Sequence, residues 1–106
     1  MRFVKPKEWP DDLIEKIRRH VELRRYRLTK HVLDRLKQRS FELLDVLYVL
    51  NNGHHETEKT LFNNKLQIWN YAIRGKTLEG TDTRVIVAFE KELIIITVIR
   101  LLKRTK

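Results

Sequence analysis

Residues 84–101 read RVIVAFEKELIIITVIRL, and this stretch decides the fold. An apolar run over residues 84–89 is followed by charged residues that suit a hairpin tip at Lys91 and Glu92. A second apolar run then covers residues 93–101. This run is apolar at odd and even positions alike, which is typical of a strand that is covered on both faces. The stretch therefore predicts a β-hairpin whose second strand is central in a sheet.

Two further strands are predicted before this hairpin. Residues 54–62 alternate polar and threonine positions, and residues 66–74 are rich in β-forming side chains, with Trp69 and Tyr71 on one face. Residues 75–82 contain two glycines and are predicted to form a loop. The C-terminal half therefore predicts about four antiparallel strands.

The N-terminal half has helical periodicity instead. Residues 11–26 place apolar side chains at helical spacing on an otherwise basic segment. Thr29 is suited to cap a second helix that ends near Arg39, and a third helix is predicted over residues 42–50. Gly53 follows the third helix and is expected to adopt the left-handed conformation of a helix cap.

Three helices followed by four strands predict an α+β fold, with the helices packed on one face of an antiparallel sheet. The chain of 106 residues with 42% hydrophobic residues is long enough for a single domain with a core. The predicted core consists of Val32, Leu36, Leu43, Val46, Leu47, Leu50, Val85, Val87, Ile94, Ile96 and Val98.

Several classes of chemistry are excluded or disfavoured by what the sequence contains. The absence of cysteine excludes a disulfide framework, thiolate zinc sites and a cysteine nucleophile. No glycine-rich phosphate loop, serine-hydrolase elbow or zinc-protease helix motif occurs. Adjacent strand residues point to opposite faces, so His54 and His55 are not expected to chelate one metal. We assign no metal and no cofactor.

The sequence gives no sign of a membrane protein. The run over residues 93–102 is far shorter than the roughly 20 apolar residues that span a bilayer. The first twelve residues have no apolar segment of the kind that secretory signals contain. We therefore expect a soluble, cytoplasmic protein with no membrane partner.

The net charge of +9 is distributed unevenly. Residues 1–40 carry 13 Lys and Arg against 6 Asp and Glu, whereas residues 41–106 carry 10 against 8. A basic half beside a nearly neutral half favours a surface that faces nucleic acid or another polyanion, the alternative being a basic surface that only confers solubility. The candidate contact residues are Arg18, Arg19, Arg24, Arg25, Arg27 and Lys30.

The segment TKHVLDRLKQRSF, residues 29–41, contains the most informative constellation. His31, Arg35 and Arg39 are spaced i, i+4, i+8, which on one helix places them at about 0°, 40° and 80° in a single stripe. Arginine binds phosphate bidentately and histidine exchanges protons near neutral pH, so the stripe suits a phosphate site. The alternative is that the arginines pair with acids such as Glu42 and that His31 bonds a backbone carbonyl.

A second candidate group lies on the predicted sheet. Tyr71 shares a face with Trp69, and Arg74 follows before a glycine. An aromatic ring near an arginine can stack on a base or hold a phosphate. The alternative is ordinary packing of both aromatic rings against the core.

Taken together, these residues resemble a known family. The pattern His31-x3-Arg35-x3-Arg39-x-Phe41, a helix ending before Gly53, Tyr71-x2-Arg74-Gly75 and a late Ile96-Thr97-Val98 is similar to the domain-of-unknown-function family numbered 4258. That family is in turn similar to the RelE- and BrnT-type toxins. The resemblance covers about residues 28–101. The sequence departs from the family pattern at Ser40, where glycine is frequent, and at Ile99, where an aromatic residue often occurs.

The resemblance implies a domain organisation and an activity. Residues 1–27 would be a basic helical extension, and residues 28–106 a RelE-like α+β domain with a curved sheet, the whole forming one compact unit. The implied activity is metal-independent cleavage of RNA, free or on the ribosome, controlled by a cognate antitoxin protein. His31, Arg35, Arg39, Tyr71 and Arg74 would then form the catalytic group.

Two functions therefore remain open from the sequence. In the first, the protein is a toxin-like endoribonuclease in which His31 is a general acid or base and Arg35 and Arg39 bind phosphate. In the second, the protein is a non-catalytic module that binds nucleic acid or an acidic partner such as an antitoxin.

Overall fold

The helical repeats and apolar runs form an α+β structure, in agreement with the predicted class. A computed structural model describes residues 9–101 and contains, in that range, three α-helices and six β-strands. The helices are α1 (Leu13–Glu22), α2 (Lys30–Lys37) and α3 (Leu43–Asn52). The strands are β1 (Tyr26–Leu28), β2 (His54–His55), β3 (Leu61–Asn63), β4 (Ile68–Lys76), β5 (Asp82–Glu90) and β6 (Glu92–Arg100). A short 3-10 helix, Thr57–Lys59, lies between β2 and β3.

The sheet is larger than the predicted four antiparallel strands. Its order is β1-β6-β5-β4-β2, with β3 also paired to β4. β1 runs parallel to β6, and the other pairs are antiparallel. The strand count was wrong because β1 has three residues and β2 has two, which is too short for an alternating pattern to be visible. The predicted strand over residues 54–62 is instead divided by the 3-10 helix.

The hairpin of β5 and β6 is confirmed, and β6 lies between β1 and β5 as a central strand. Its core-facing residues differ from simple alternation because of a β-bulge. Ile86 pairs with Thr97 but Val87 pairs with Ile95, so Ile96 is the extra residue.

Because of this bulge, the β6 residues that face the core differ from those predicted. Ile95 and Val98 are buried against the helices, whereas Ile94 is buried on the opposite face of the sheet and Ile96 is half-buried. Leu43, also predicted in the core, is exposed. The predicted core residues that join the main cluster are Val32, Val46, Leu50, Val85, Val87 and Val98, with Leu36 and Leu47 packed against it.

The helix ends follow from local hydrogen bonds. The predicted cap at Thr29 is confirmed, since its hydroxyl oxygen accepts from Val32 N at 3.4 Å and its hydroxyl donates to Ile96 O at 2.8 Å. The start of α2 is thereby fixed to β6. Glu42 and Asp45 form a capping box at the start of α3.

Gly53 does not adopt the predicted left-handed conformation, because its φ is −84°. It is needed for a close approach instead. A Cβ atom on Gly53 would lie 2.5 Å from Arg74 O and 2.7 Å from Val49 O. A Cβ atom on Gly75 would lie 2.9 Å from Gly53 Cα. The two glycines therefore let the end of α3 contact the backbone of β4.

α1 belongs to the same core as the rest of the domain. Leu13, Ile17 and Val21 are buried and join the cluster that α3 and the sheet form. After α1, the chain turns into β1 and pairs with β6. The described part of the predicted basic extension thus contributes a core helix and a sheet strand, while residues 1–8 lie outside the described residues.

Two of the helices end on an arginine in a left-handed conformation. Arg24 after α1 has φ +59°, and Arg39 after α2 has φ +61°. In each case the backbone forms the paired hydrogen bonds of a Schellman motif, for which glycine is the usual residue. A side chain in this conformation costs about 1–2 kcal/mol.

Arg24→Gly should therefore raise the free energy of unfolding by about 0.5–1 kcal/mol, the relieved strain less the added entropy of the unfolded chain. The measurement is the urea midpoint of the cooperative transition. Arg25→Gly is the control, because Arg25 is not in the left-handed region and should only lose stability. Equal midpoints for the two variants would contradict the assignment of strain to Arg24.

Candidate nucleic-acid interface

α2 presents the first two residues of the predicted stripe. His31 and Arg35 lie one turn apart on this helix, His31 exposed and Arg35 half-buried. The guanidinium carbon of Arg35 lies 5.4 Å from the centre of the buried Phe41 ring, within cation–π range. Its Nε atom is buried without a hydrogen-bond partner, and Arg35 forms no ion pair within residues 9–101. Arg35 is thus a sheltered cation with no anionic partner among the residues that the structure describes.

Arg39 does not continue the stripe, so this part of the prediction is wrong. α2 ends at Lys37, and Arg39 lies two residues further on in its left-handed conformation. The helix stops there because Arg39 N donates to Leu36 O and Ser40 N donates to Arg35 O. The side chain of Arg39 is exposed and lines a neighbouring cleft.

This cleft has a volume of about 240 Å³ and lies where the α2–α3 turn, the β4–β5 loop and the end of β6 meet. Its charged lining comprises two arginines, Arg39 and Arg100, and three acids, Glu42, Asp45 and Glu79. Arg100 lies 4.9 Å from the centre of the Phe41 ring and donates to Ser40 O at 2.6 Å. Phe41 is therefore contacted by Arg35 and Arg100, which connects the α2 face with the cleft.

Sequence reasoning missed Arg100 and Glu79 as site residues. Arg100 lies in the predicted strand over residues 93–101 and Glu79 in the predicted loop over residues 75–82, and neither position suggests a functional site. The contact of Arg100 with Phe41 spans 59 positions of the chain, and no local pattern predicts it.

The six predicted nucleic-acid contacts divide into two groups. Arg19, Arg24 and Arg25 are exposed and form no ion pair within the described range. The other three are engaged: Arg18 donates to Gly53 O at 3.1 Å, Arg27 pairs with Glu90 and Glu92, and Lys30 pairs with Asp34. The pairs of Arg27 and Lys30 are exposed and therefore weak.

Tyr71 lies in the core and not on an open surface. It is 7% exposed, and its ring makes edge contacts with the rings of Trp9 and His55. Burial raises the pKa of Tyr71. Burial also lowers the pKa of His55, with a smaller contribution from the neighbouring His54. This arrangement agrees with the alternative of core packing.

Arg74 lies on the opposite face of β4 from Tyr71, so the structure does not bring this pair into one site. Its guanidinium donates to Asp82 at 2.6 Å and to Glu56 at 3.2 Å. Arg84 donates to Glu56 at 2.7 Å. Hydrogen bonds, first from Arg84 and then from Arg74, lower the pKa of Glu56 against the opposing effect of burial.

These four side chains, Glu56, Arg74, Asp82 and Arg84, are named the ion cluster from here on. Hydrogen bonds to Asp82 and then to Glu56 raise the pKa of Arg74. Both carboxylates of the ion cluster are ionised at neutral pH and compensate its two arginines. Arg74 thus links β4 to β5, through Asp82, and to the residue that follows β2, Glu56.

No helix in the described part of the chain is long and apolar enough to cross a membrane. In residues 9–101, no three His, Asp or Glu side chains gather in a way that would hold a metal ion.

Comparison with known proteins gives one match. No curated protein and no solved structure matches the chain significantly. The model of a protein family, the domain of unknown function DUF4258, matches residues 28–100, which include α2, the cleft and the ion cluster. Because the match covers more than half of the 106 residues, the chain belongs to the DUF4258 family.

Proposed function

We propose that the protein binds single-stranded RNA through α2 and the turn that follows it. The observation that carries this proposal is Arg35, a half-buried guanidinium that is fixed against Phe41 and has no anionic partner within the described residues. A backbone phosphate supplies the missing charge and accepts bidentate hydrogen bonds. Exposed Lys37 lies on the same helix, and Arg19, Arg24 and Arg25, which are exposed and form no ion pair in residues 9–101, add further positive charge.

The activity proposed at this surface is toxin-like, metal-independent cleavage of RNA. His31 lies one helical turn, or about 6 Å along the axis, from Arg35, so both side chains can reach one phosphodiester. His31 removes the proton of the RNA 2′-hydroxyl, whose oxygen attacks the adjacent phosphorus. The 5′-oxygen leaves with a proton from water, and Arg35 offsets the charge that develops on phosphorus. The products are a 2′,3′-cyclic phosphate and a 5′-hydroxyl end.

A RelE-like fold, a cytoplasmic location and control by a cognate antitoxin belong to the same proposal. The α+β architecture, with all three helices on one face of the sheet, supports a fold of that general kind. An antitoxin of acidic character would cover the basic face of α2 and compete with RNA.

A second candidate is a binding module without catalysis. It is favoured by the positions of Tyr71 and Arg74, because one is buried in the core and the other is held by the ion cluster. Of the five predicted catalytic residues, His31 is then the one that remains to exchange a proton beside Arg35. The two candidates share the RNA-binding face and differ in whether bound RNA is cleaved.

The first experiment measures RNA binding as a function of salt. The affinity for a short single-stranded RNA should fall with salt by a slope of about −0.7 per phosphate contact. Arg35→Ala should weaken binding and reduce the magnitude of the slope by about 0.7. Lys65→Ala removes one positive charge from the exposed β3–β4 turn. This variant should leave the RNA affinity and its salt slope nearly unchanged. A salt-independent affinity, or equal effects of the two variants, would contradict the proposed face.

The second measurement separates catalysis from binding. In cleavage assays with and without ribosomes, His31→Ala should lower turnover by at least about 10²-fold, the loss expected for a positioned acid or base. Because His31 is exposed, the variant should keep the parent's thermal unfolding temperature and its RNA affinity. RNA that the parent protein binds but does not cleave selects the binding module. Equal cleavage by parent and variant would contradict the catalytic role of His31.

A further inference from the structure

The cleft beside α2 is lined by side chains of opposite charge. Arg39 and Arg100 line it together with Glu42, Asp45 and Glu79. Within the part of the chain that the structure describes, none of these five residues forms an ion pair. The ion cluster on the other side of the sheet shows the contrast, because its opposite charges lie 2.6–3.2 Å apart.

The donors and acceptors in the cleft are held by different elements. Arg100 is oriented by Phe41 and by its hydrogen bond to Ser40 O, and within residues 9–101 its guanidinium has no other hydrogen-bond partner. Arg39 is fixed at its backbone by the turn after α2. Glu42 and Asp45 are used in the capping box of α3, so Glu79 is the acid of the lining without a hydrogen-bond partner among residues 9–101.

The position of Glu79 is also set by its backbone. The loop is closed by Thr77 N donating to Thr81 O and by Gly80 N donating to Thr77 O. Gly80 has φ +87°, which permits the tight turn that follows Glu79. The cleft thus presents guanidinium donors and one carboxylate acceptor from separate, fixed backbone segments.

A single phosphate does not fit this lining well, because three carboxylates would repel it. A ligand with hydrogen-bond donors on one edge and acceptors on another fits better. The volume of about 240 Å³ is below the roughly 300–1,000 Å³ of pockets for drug-sized ligands, so it suits one flat ring system.

We propose that the cleft is a subsite for a guanine base of the bound RNA. Guanine offers two acceptors, O6 and N7, that an arginine fork binds bidentately, and two neighbouring donors, N1–H and the 2-amino group, that suit one carboxylate. Arg39 takes the first edge, because Arg100 is already bonded to Ser40 O, and Glu79 takes the second. Adenine, cytosine and uracil do not present both pairs. This inference rests on the proposed RNA function and names its sequence preference.

The contact of Phe41 with both Arg35 and Arg100 connects the two sites. A phosphate on Arg35 and a base in the cleft would both lie next to this residue. Single-stranded RNA is read in this way, with the backbone held by cations and a splayed base bonded at its edges.

The test compares the four nucleoside 5′-monophosphates by isothermal titration calorimetry. They share the phosphate and ribose, so differences report the base alone. Guanosine monophosphate should bind about ten-fold or more tightly than adenosine monophosphate, in keeping with one bidentate base contact. Glu79→Gln should abolish this preference, and so should Arg39→Lys, which keeps the charge but not the planar fork. Glu58→Gln, an exposed acid outside the cleft, is the matched control and should retain it.

Two short RNAs that differ only by one guanine or adenine complete the experiment. Equal affinity for all four monophosphates, or the same preference in Glu79→Gln and Glu58→Gln, would overturn the guanine subsite. Equal affinity for the guanine and adenine RNAs, each with the expected salt slope, would also overturn the guanine subsite. This result would leave the RNA-binding proposal intact. A guanine preference among the monophosphates without binding of either RNA would support the subsite and contradict the RNA function.

Discussion

Ile17→Ala should lower the free energy of unfolding by about 2–5 kcal/mol, the range for removing most of a buried aliphatic side chain. Ile17 is completely buried in the core between α1, α3 and the sheet. The residue precedes the segment that matches the DUF4258 family, which begins at residue 28. A loss of this size in a single cooperative urea transition would show that α1 is an integral part of the folding unit.

Leu23→Ala provides the matched control at the end of the same helix. Leu23 is 52% exposed, so its truncation should change the free energy of unfolding by no more than about 0.5 kcal/mol. If Ile17→Ala unfolded at the same urea concentration as Leu23→Ala, α1 would be a separable extension and the structural assignment would be contradicted.

The helices and the long strands could be predicted because their signals are local. Thr29 at a helix start, the repeat of apolar residues in α3 and the apolar runs of β5 and β6 each determine a structure over a few residues. The bulge at Ile96 could not be predicted, because it depends on the register between two strands. β1 was missed since three residues pair in parallel with a strand that lies far away in the sequence.

The candidate site shows the same division. The i, i+4 relation of His31 and Arg35 is a property of one helix and was predicted correctly. The predicted place of Arg39 in the same stripe was wrong, because the helix ends two residues earlier. The hydrogen bonds that end it are not revealed by the pattern of residue types. Glu79 and Arg100 reach the cleft from a loop and a distant strand end, and only the tertiary structure brings them beside Arg39.

Two of the residues that carry the family resemblance, Tyr71 and Arg74, lie on β4 and stabilise the fold. Tyr71 packs with the aromatic rings on the helix side of the sheet, and Arg74 belongs to the ion cluster on the other side. The most buried member of that cluster is Glu56, whose side chain is 7% exposed and bonded to Arg74 and Arg84. Glu56 was not singled out from the sequence, yet it holds two arginines in place.

Glu56→Gln should lower the free energy of unfolding by about 3 kcal/mol at neutral pH. Removing one partner of a buried ion pair costs about 3–5 kcal/mol, and the lower end applies because Arg74 remains partly in contact with solvent. Glu90→Gln removes a carboxylate from the exposed pair with Arg27 and should cost less than about 1 kcal/mol. Similar losses in the two variants would contradict the structural role of the ion cluster.

The same substitution should change how stability depends on pH. The pKa of Glu56 is held below its ordinary value of 4.5 in the folded protein, chiefly by its hydrogen bond with Arg84. The unfolded chain therefore takes up the proton first as the pH falls, so this stabilisation is complete above the ordinary value and is lost as the pH drops through the lowered one. The pKa of His55 is also lowered, and the effect of His55 on stability begins near pH 6.5. This effect is common to both proteins and cancels in the difference between them.

The difference in unfolding free energy between parent and Glu56→Gln should stay constant down to about pH 5 and narrow in more acidic solution. A difference that persisted undiminished to strongly acidic pH would show that Glu56 does not act through its charge.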